Sequence, residues 1–343
     1  MGFDSEQAAG ADTGPAPTDL MMQAIVQDSY GSANVLRTAR IERPEIAANE
    51  VLVRVHAAGL DRGTWHLMTG RPYLMRVMGF GFRGPKNRVP GIDVAGTVVV
   101  IGSAVTRLAV GDEVFGMSRG SFAQYAAARE DKLAHKPANA SFEQAAVVGI
   151  SGGTALQALA AGRVQAGQRV LIIGASGGVG SFAVQLAKAA GTEVTGVCST
   201  HKLSLVTGLG ADHVLDYTVD DFADGIHHYD LIVDIAGNSS LSRLRRALTP
   251  TGTAVIVGGE SKGPLTGGIG RPLRALMLTP FIGQRLTGLA SKQRASDLTI
   301  LADHLGAGTV TPSIDRTFRL EQVATAMRHL EDGVVKGKVA ITI

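Results

Sequence analysis

The chain has 343 residues, of which 45% are hydrophobic and 18% are charged, and 44 residues are glycine. This length suits two domains, and the composition excludes a disordered or fibrous chain and is typical of a globular α/β protein. The formal net charge is +3, basic and acidic residues are interleaved, and no apolar run is long enough to span a bilayer. We therefore expect neither a nucleic acid nor a membrane as a partner.

Residues 1–20 are polar and rich in Ala, Gly and Pro. They lack the basic and apolar regions of a secretory signal and predict a flexible N-terminal tail, with a weak targeting segment as the alternative. Cys198 is the single cysteine. A disulfide within the chain and a zinc site built on several cysteines are therefore excluded, and a reducing, cytoplasmic location is expected.

The stretch 21–140 reads as a β-rich domain of short strands and turns. Its strand-like segments alternate apolar and polar residues and contain many β-branched ones. They are MQAIVQ, VLVRVHAAG, DVAGTVVVIG and GDEVFGM. The end of the chain, 291–343, predicts helices at 294–305 and 321–331 and closes on the strand GKVAITI. Because this ending resembles the opening, we expect it to complete the first domain.

Residues 141–290 follow a different pattern, in which strands alternate with helices after a helical start at FEQAAVVGISGGTALQALAAG. The run VLIIGA at 170–175 is continuously apolar, as in a strand buried on both faces. Strands separated by single helices predict a parallel, doubly wound sheet with right-handed crossovers.

A glycine-rich turn, GASGGVG at 174–180, stands between the first predicted strand of this sheet and its helix. In that position glycines let the backbone approach a pyrophosphate, and the helix N-terminus stabilises its charge. The sequence therefore predicts a dinucleotide site that includes Ala175, Ser176, Gly177, Gly178 and Val179.

The end of the following strand decides which dinucleotide is expected. An acidic residue there would bind the ribose 2′-hydroxyl of NAD, but this chain has Ser199, Thr200 and Lys202 instead. Two hydroxyls and an ammonium suit a 2′-phosphate. The prediction is NADPH, with a solvated surface lysine as the alternative for Lys202.

Several motifs in their order along the chain resemble the zinc-independent medium-chain dehydrogenase/reductase superfamily, in its quinone oxidoreductase (ζ-crystallin-like) branch. The motifs are PGIDVAGTVVVIG, GDEVFG, GSFAQYA, GQRVLIIGASGGVGSFAVQLAK, LGADHVLDY and GKVAITI. The resemblance implies a β-rich, GroES-like catalytic domain in two segments, a Rossmann domain between them, the cofactor in the cleft, and a homodimer.

The resemblance also implies roles for individual residues. Zinc-dependent relatives place ligands where this chain has Leu60 and Asp61, Ile92, and Gly149 to Ser151, so no metal is expected. Lys202 and Tyr217 match a spacing found around the 2′-phosphate, and a strand-end tyrosine is the alternative for Tyr217. Three further residues are expected at the cofactor: Thr154, Gly237 and Gly258.

The segment AGLDRGTWHLMTGRPYL, interpreted as a loop, is expected to line the substrate side of the cleft. Asp61 replaces an asparagine that contacts the nicotinamide ribose or substrate in relatives. His66 could relay a proton and Tyr73 could donate a hydrogen bond to a carbonyl, with packed or surface side chains as the alternatives.

Together these features predict a hydride transfer from NADPH to a small quinone or α,β-unsaturated carbonyl, without a metal. The alternatives within enzymes are a stand-alone enoyl reductase and a zinc-free alcohol dehydrogenase-like activity. The alternative class is a non-catalytic NADPH-binding redox sensor.

Overall fold

The computed structural model describes residues 20–258, 270–279 and 282–343. The predicted flexible tail, except for Leu20, lies outside these ranges. Within them, no helix is both long and apolar enough to cross a membrane.

The first and last parts of the chain form one β-rich unit. Its seven-stranded sheet has the order β14-β15-β3-β4-β5-β7, β6 pairs with β3, and β1 and β2 form a separate antiparallel pair. These strands are β1 (Met21–Val26), β2 (Arg37–Glu42), β3 (Glu50–Leu60), β4 (Asp93–Ile101), β5 (Glu113–Met117), β6 (Tyr125–Arg129), β7 (Leu133–His135), β14 (Ile314–Arg319) and β15 (Lys338–Thr342). The C-terminal strand β15 lies antiparallel to β3, as the similar ends of the chain predict.

The middle of the chain forms a six-stranded parallel sheet of order β10-β9-β8-β11-β12-β13. Its strands are β8 (Arg169–Ile173), β9 (Glu193–Cys198), β10 (His213–Asp216), β11 (Tyr229–Asp234), β12 (Leu248–Ile256) and β13 (Arg285–Gly288). The strand order reverses between β8 and β11, which is where doubly wound sheets bind ligands. The predicted fold class is confirmed, while the predicted divisions near residues 141 and 290 stay a prediction.

The helices differ from the prediction in two places. They are α1 (Arg62–Thr69), α2 (Phe142–Ala146), α3 (Gly149–Gly162), α4 (Gly178–Ala189), α5 (Leu203–Gly208), α6 (Leu241–Ala247), α7 (Gly270–Leu278), α8 (Ala295–Gly306) and α9 (Val323–Glu331). The segment interpreted as a loop after β3 contains α1, because the Asp61 carboxylate caps its N-terminus. The single helical stretch predicted from Phe142 is broken into α2 and α3.

The apolar side chains of β8 are buried because helices cover both faces of the parallel sheet. Val170 and Ile172 pack with Phe182 of α4 on one face, and Leu171 packs with Leu244 of α6 on the other. This packing holds the carboxyl end of β8 and the N-terminus of α4 at the edge of the sheet that faces the β-rich unit.

Candidate active site

The glycine-rich turn joins β8 to α4 as the sequence predicts. Gly174 has a φ of +90°, and the backbone N–H groups of Gly174 and Ala175 both donate to Val197 O at 3.0 Å. A Cβ on Gly180 would lie 2.1 Å from Gly174 O, so only glycine lets the helix approach the turn this closely. The turn is therefore rigid and has no room for larger residues at its base.

The N-terminus of α4 fits the pyrophosphate of a dinucleotide. Gly177 is the N-cap residue and offers no side chain to the first-turn N–H groups, which are left for an anion. A cavity of about 150 Å³ adjoins them, lined by Gly178 and Val179 on one side and by Asp61 and Lys338 on the other. A Cβ on Gly178 would lie only 3.0 Å from Lys338 Cδ, so side chains here would fill the space that the cofactor needs.

The carboxyl ends of β11 and β12 form the rest of the crevice beside the N-terminus of α4, which we call the cofactor crevice. Gly237 follows β11 with a φ of +73°, and its N–H donates to Asp234 Oδ1 at 3.1 Å. A Cβ on Gly258, after β12, would lie 2.0 Å from Ile235 O. Both predicted cofactor residues thus belong to tight turns at the carboxyl ends of strands, Gly237 beside the reversal point of the sheet and Gly258 one strand further on.

The predicted 2′-phosphate residues gather at the end of β9, although two of them have protein partners. The buried Lys202 ammonium donates to Val335 O at 2.7 Å and to Gly333 O at 3.0 Å, and burial lowers its pKa. Thr200 Oγ1 donates to a carboxylate oxygen of Asp216. Ser199 is half-buried and Tyr217 is 64% exposed.

Three cavities run in series from this crevice. The 150 Å³ cavity shares Gly63 and Ile150 with a cavity of about 290 Å³. The second cavity shares Leu67, Phe80 and Ile92 with an outer cavity of about 750 Å³. The three cavities are therefore neighbours, and the second, largely apolar one, which we call the chamber, lies between the cavity at the α4 N-terminus and the outer cavity.

Only one of the three predicted catalytic residues, Asp61, lines any of these cavities. Its Oδ1 accepts from the N–H of Thr64 at 2.8 Å, and its buried Oδ2 has no hydrogen-bond partner. Because a buried carboxylate oxygen without a donor is costly, Oδ2 is available for a bound hydroxyl.

The other candidates on the substrate side have different surroundings. His66 Nδ1 lies 2.7 Å from Arg71 O, and Tyr73 is 38% exposed, with the Arg76 guanidinium 4.7 Å from its ring. Thr154 does line the 290 Å³ cavity, but its hydroxyl donates to Ile150 O at 2.7 Å. The hydroxyl oxygen can therefore only accept, and not donate, a further hydrogen bond from a molecule in this cavity.

The similarity of this chain to known proteins agrees with this geometry. The descriptions "Alcohol dehydrogenase GroES-like domain" and "Zinc-binding dehydrogenase" match residues 47–138 and 209–341. The 2-methylene-furan-3-one reductase of Solanum lycopersicum and the chloroplastic NADPH-dependent alkenal/one oxidoreductase of Arabidopsis thaliana are each 32% identical, over 98% of this chain and 83% of theirs. The chain belongs to the medium-chain dehydrogenase/reductase superfamily.

A solved member of this superfamily has the same arrangement of domains. The quinone oxidoreductase from Coxiella burnetii superposes with a TM-score of 0.83 at 29% identity, over 94% of this chain and 99% of that one. Membership of the quinone oxidoreductase branch, predicted from the motifs, is thereby confirmed. Among the residues with described positions, no three His, Cys, Asp or Glu side chains form a group that could hold a metal ion.

A buried polar cluster that no sequence motif predicted lies beside the cofactor crevice of this dehydrogenase/reductase. The Lys338 ammonium, 1% exposed, donates to Ser151 Oγ at 3.0 Å and lies 3.8 Å from Asp93 Oδ2. Asp93 Oδ1 accepts from the N–H of Ile150 at 2.8 Å. The cluster ties β15 and β4 to the start of α3. A lysine within a strand that otherwise reads as apolar, GKVAITI, was the one signal for it.

Asp93 makes the stability of the protein depend on pH. Burial is the main cause that raises the pKa of its carboxyl to about 8, and the nearby Lys338 opposes this. Between about pH 4 and pH 8 the folded protein therefore holds a proton that the unfolded chain has released, so the free energy of unfolding falls as pH rises. Asp93→Asn cannot release that proton, and we expect its stability to vary less over this range, by at least about 1.4 kcal/mol.

Urea unfolding of both proteins at several pH values measures this difference. The control is Asp112→Asn, which removes a partly exposed carboxylate elsewhere in the β-rich unit. Parallel pH curves for wild type and Asp93→Asn would show that Asp93 is ionised in the folded protein at neutral pH.

Proposed function

We propose that this protein is an NADPH-dependent reductase of quinones and α,β-unsaturated carbonyl compounds. The observation that carries the proposal is the series of cavities, in which an apolar chamber adjoins the cavity at the N-terminus of α4. The names of the relatives, an alkenal/one oxidoreductase and a furanone reductase, agree with this chemistry, as does that of the quinone oxidoreductase with the same fold.

NADPH, when bound, supplies the hydride for an electron-poor carbon of the acceptor. The first-turn N–H groups of α4 bind the pyrophosphate, and Lys202 with Ser199, Thr200 and Tyr217 recognises the 2′-phosphate. Asp61 Oδ2 accepts a hydrogen bond from a hydroxyl of the nicotinamide ribose. The glycines of the strand ends, Gly237 and Gly258, let the cofactor lie against the backbone.

The chamber orients the acceptor and limits the access of water. Leu67, Phe80, Ile92 and Met117 provide apolar surface for a flat, conjugated molecule, and Thr154 provides one wall. The roles of His66 as a proton relay and of Tyr73 as a hydrogen-bond donor stay predictions, as does catalysis without a metal.

Blocking the chamber tests this function. Ile92 lies between the 290 Å³ and 750 Å³ cavities, so Ile92→Trp is expected to lower kcat/KM for 1-penten-3-one and 9,10-phenanthrenequinone at least ~10-fold. The affinity for NADPH, measured by fluorescence, is expected to stay within about twofold. Consumption of NADPH measured by its absorbance gives the rates.

The matched control is Ile101→Trp, at the far end of the strand that follows Ile92, which is 40% exposed and does not line these cavities. It should leave both measurements unchanged. If the wild type binds NADPH but reduces neither acceptor, the redox-sensor alternative takes the place of the reductase. Turnover of enoyl thioesters alone, or of alcohols with NADP⁺ alone, would favour an enoyl reductase or an alcohol dehydrogenase-like enzyme.

We also propose a homodimer that assembles through β13 and α7. Strand β13 is an edge of the parallel sheet, and α7 beside it exposes Leu273, Leu276 and Met277 at 58%, 60% and 67%. An open edge next to apolar side chains suits a symmetric contact between two copies. Sedimentation velocity distinguishes it from a 35.6 kDa monomer.

The cytoplasmic location, expected from the single cysteine, Cys198, stays a prediction.

A further inference from the structure

The segment between α1 and β4 carries an unusual combination of side chains. We call residues 71–88 the basic–apolar loop. It contains five basic residues and no acidic one, and the whole stretch 62–92 also lacks Asp and Glu. Its basic residues are Arg71, Arg76, Arg83, Lys86 and Arg88, and all but Arg76 are exposed.

Apolar side chains in the same loop face solvent. Val77 and Phe82 are 71% and 73% exposed, and exposed apolar residues that lie close together mark interaction sites. Three more are exposed by more than a third, namely Tyr73, Leu74 and Phe80. The loop therefore presents bulky apolar groups together with basic ones, of which Arg88 is paired with Asp28 at 2.7 Å.

The loop is held in place at its base. The Tyr30 hydroxyl donates to Gly81 O at 2.7 Å, and the N–H of Lys86 donates to Phe80 O at 2.9 Å. The Arg76 guanidinium lies 4.4 Å from the ring of Tyr30, and its Nε donates to Gly70 O at 2.9 Å. These contacts hold the backbone of the loop against Tyr30 and the end of α1.

This surface also borders the entrance to the chamber. Phe80 lines both the 290 Å³ and the 750 Å³ cavities, and Pro85, Lys86 and Asn87 line the larger one. A partner that binds the basic–apolar loop therefore also lies next to the outer cavity, through which an acceptor would reach the chamber.

We propose that the basic–apolar loop docks the protein on the surface of an anionic lipid bilayer. Aromatic and aliphatic side chains that enter the headgroup region and basic side chains that pair with anionic headgroups are the two features of interfacial binding, and the loop has both. A symmetric contact with a second copy is disfavoured, because it would bring two sets of positive charges together. Docking would open the outer cavity toward acceptors dissolved in the membrane.

This peripheral contact differs from the expectation that a membrane is not a partner. That expectation rested on the length of the apolar runs, which excludes a spanning segment and not a surface-bound loop. The exposed apolar residues of the loop are separated in sequence by glycines and arginines, so no continuous hydrophobic stretch marks them.

Co-sedimentation of the full chain with vesicles tests the proposal. The vesicles are pure phosphatidylcholine or an equal mixture of phosphatidylcholine and phosphatidylglycerol. We expect binding to the anionic vesicles only, reduced at about 0.5 M NaCl, where charges are screened within about 4 Å. Val77→Ser with Phe82→Ser is expected to weaken this binding at least ~10-fold, and Arg83→Glu about as much.

The control pair is Val219→Ser with Ile226→Ser, which are 80% and 78% exposed on the other unit of the protein. It should bind vesicles like the wild type. None of these side chains lines the cavities, so the affinity for NADPH and the melting temperature of each variant verify that it is folded.

Three results would overturn the proposal. They are the absence of binding to anionic vesicles, equal binding by the loop variants and the wild type, and equal binding to neutral vesicles. If the loop variants instead change the mass seen by sedimentation velocity without lipid, the surface contacts another copy of the chain. The outcome does not depend on turnover, so it is independent of whether the proposed reductase activity is found.

Discussion

Gly177→Asp is expected to weaken NADPH binding at least ~100-fold, equivalent to about 3 kcal/mol, while α4 stays at least as stable as in the wild type. Gly177 is the N-cap of α4 and has an extended backbone, with φ −84° and ψ 177°. An aspartate there accepts hydrogen bonds from the first-turn N–H groups, which stabilises the helix. The same carboxylate occupies the position of the pyrophosphate and repels it.

This prediction is specific because the affinity for NADPH is expected to fall while the stability of the protein is expected to stay the same or rise. Fluorescence titration gives the affinity for NADPH, and thermal unfolding gives the stability of the protein without cofactor. Gly177→Ala serves as the control, because its Cβ would make only an ordinary contact of 3.5 Å with Gly174 O. Its affinity should fall much less. If Gly177→Asp binds NADPH as well as Gly177→Ala does, the pyrophosphate does not lie at this helix terminus.

Lys202→Ala is expected to weaken NADPH binding about 10-fold to 100-fold and NADH binding much less. The Lys202 ammonium has three donors, and Gly333 O and Val335 O occupy two of them. One N–H therefore remains for a 2′-phosphate, which NADH lacks. The substitution also leaves two carbonyl groups without a donor, which costs about 1–3 kcal/mol of stability for a buried group.

The ratio of the two dissociation constants separates these effects, because lost stability alone weakens both cofactors alike. Lys188→Ala is the matched control, since this lysine also donates to a backbone carbonyl, Thr192 O, and pairs with Asp212 in the same unit. It should leave the ratio unchanged. An unchanged ratio for Lys202→Ala would mean that Lys202 has only a structural role, through its hydrogen bonds to the 333–335 segment. Selectivity for NADPH would then have to come from Ser199, Thr200 and Tyr217.

The cofactor crevice was predictable because its geometry is local. A buried strand, a glycine-rich turn and a helix follow one another within 169–189, and backbone sterics decide how they connect. Once β9 is placed, the sequence alone likewise shows that Ser199, Thr200 and Lys202 follow it instead of an acidic residue. The order of the motifs along the chain then predicted the family, whose two-segment catalytic domain agrees with the likeness between the opening and the ending of the chain.

The substrate side was predicted less well. The segment after β3 was interpreted as a loop, yet Asp61 caps a helix of eight residues there. The helix and the turns after it set which side chains reach the chamber. Leu67, on α1, lines it, whereas His66 and Tyr73 do not line any of the three cavities. Side-chain direction on a short helix changes by about 100° per residue, so proximity in sequence was a poor guide.

The sequence by itself determined the two kinds of domain, the dinucleotide crevice and the expected cofactor, because hydrophobic periodicity, glycine positions and strand ends are properties of neighbouring residues. Only the tertiary structure decided that Lys338 meets Ser151, 187 residues away, and that Asp93 is buried beside them. It also decided that the basic–apolar loop borders the entrance to the chamber. Contacts between distant segments depend on how the two units pack together, and no local pattern encodes that packing.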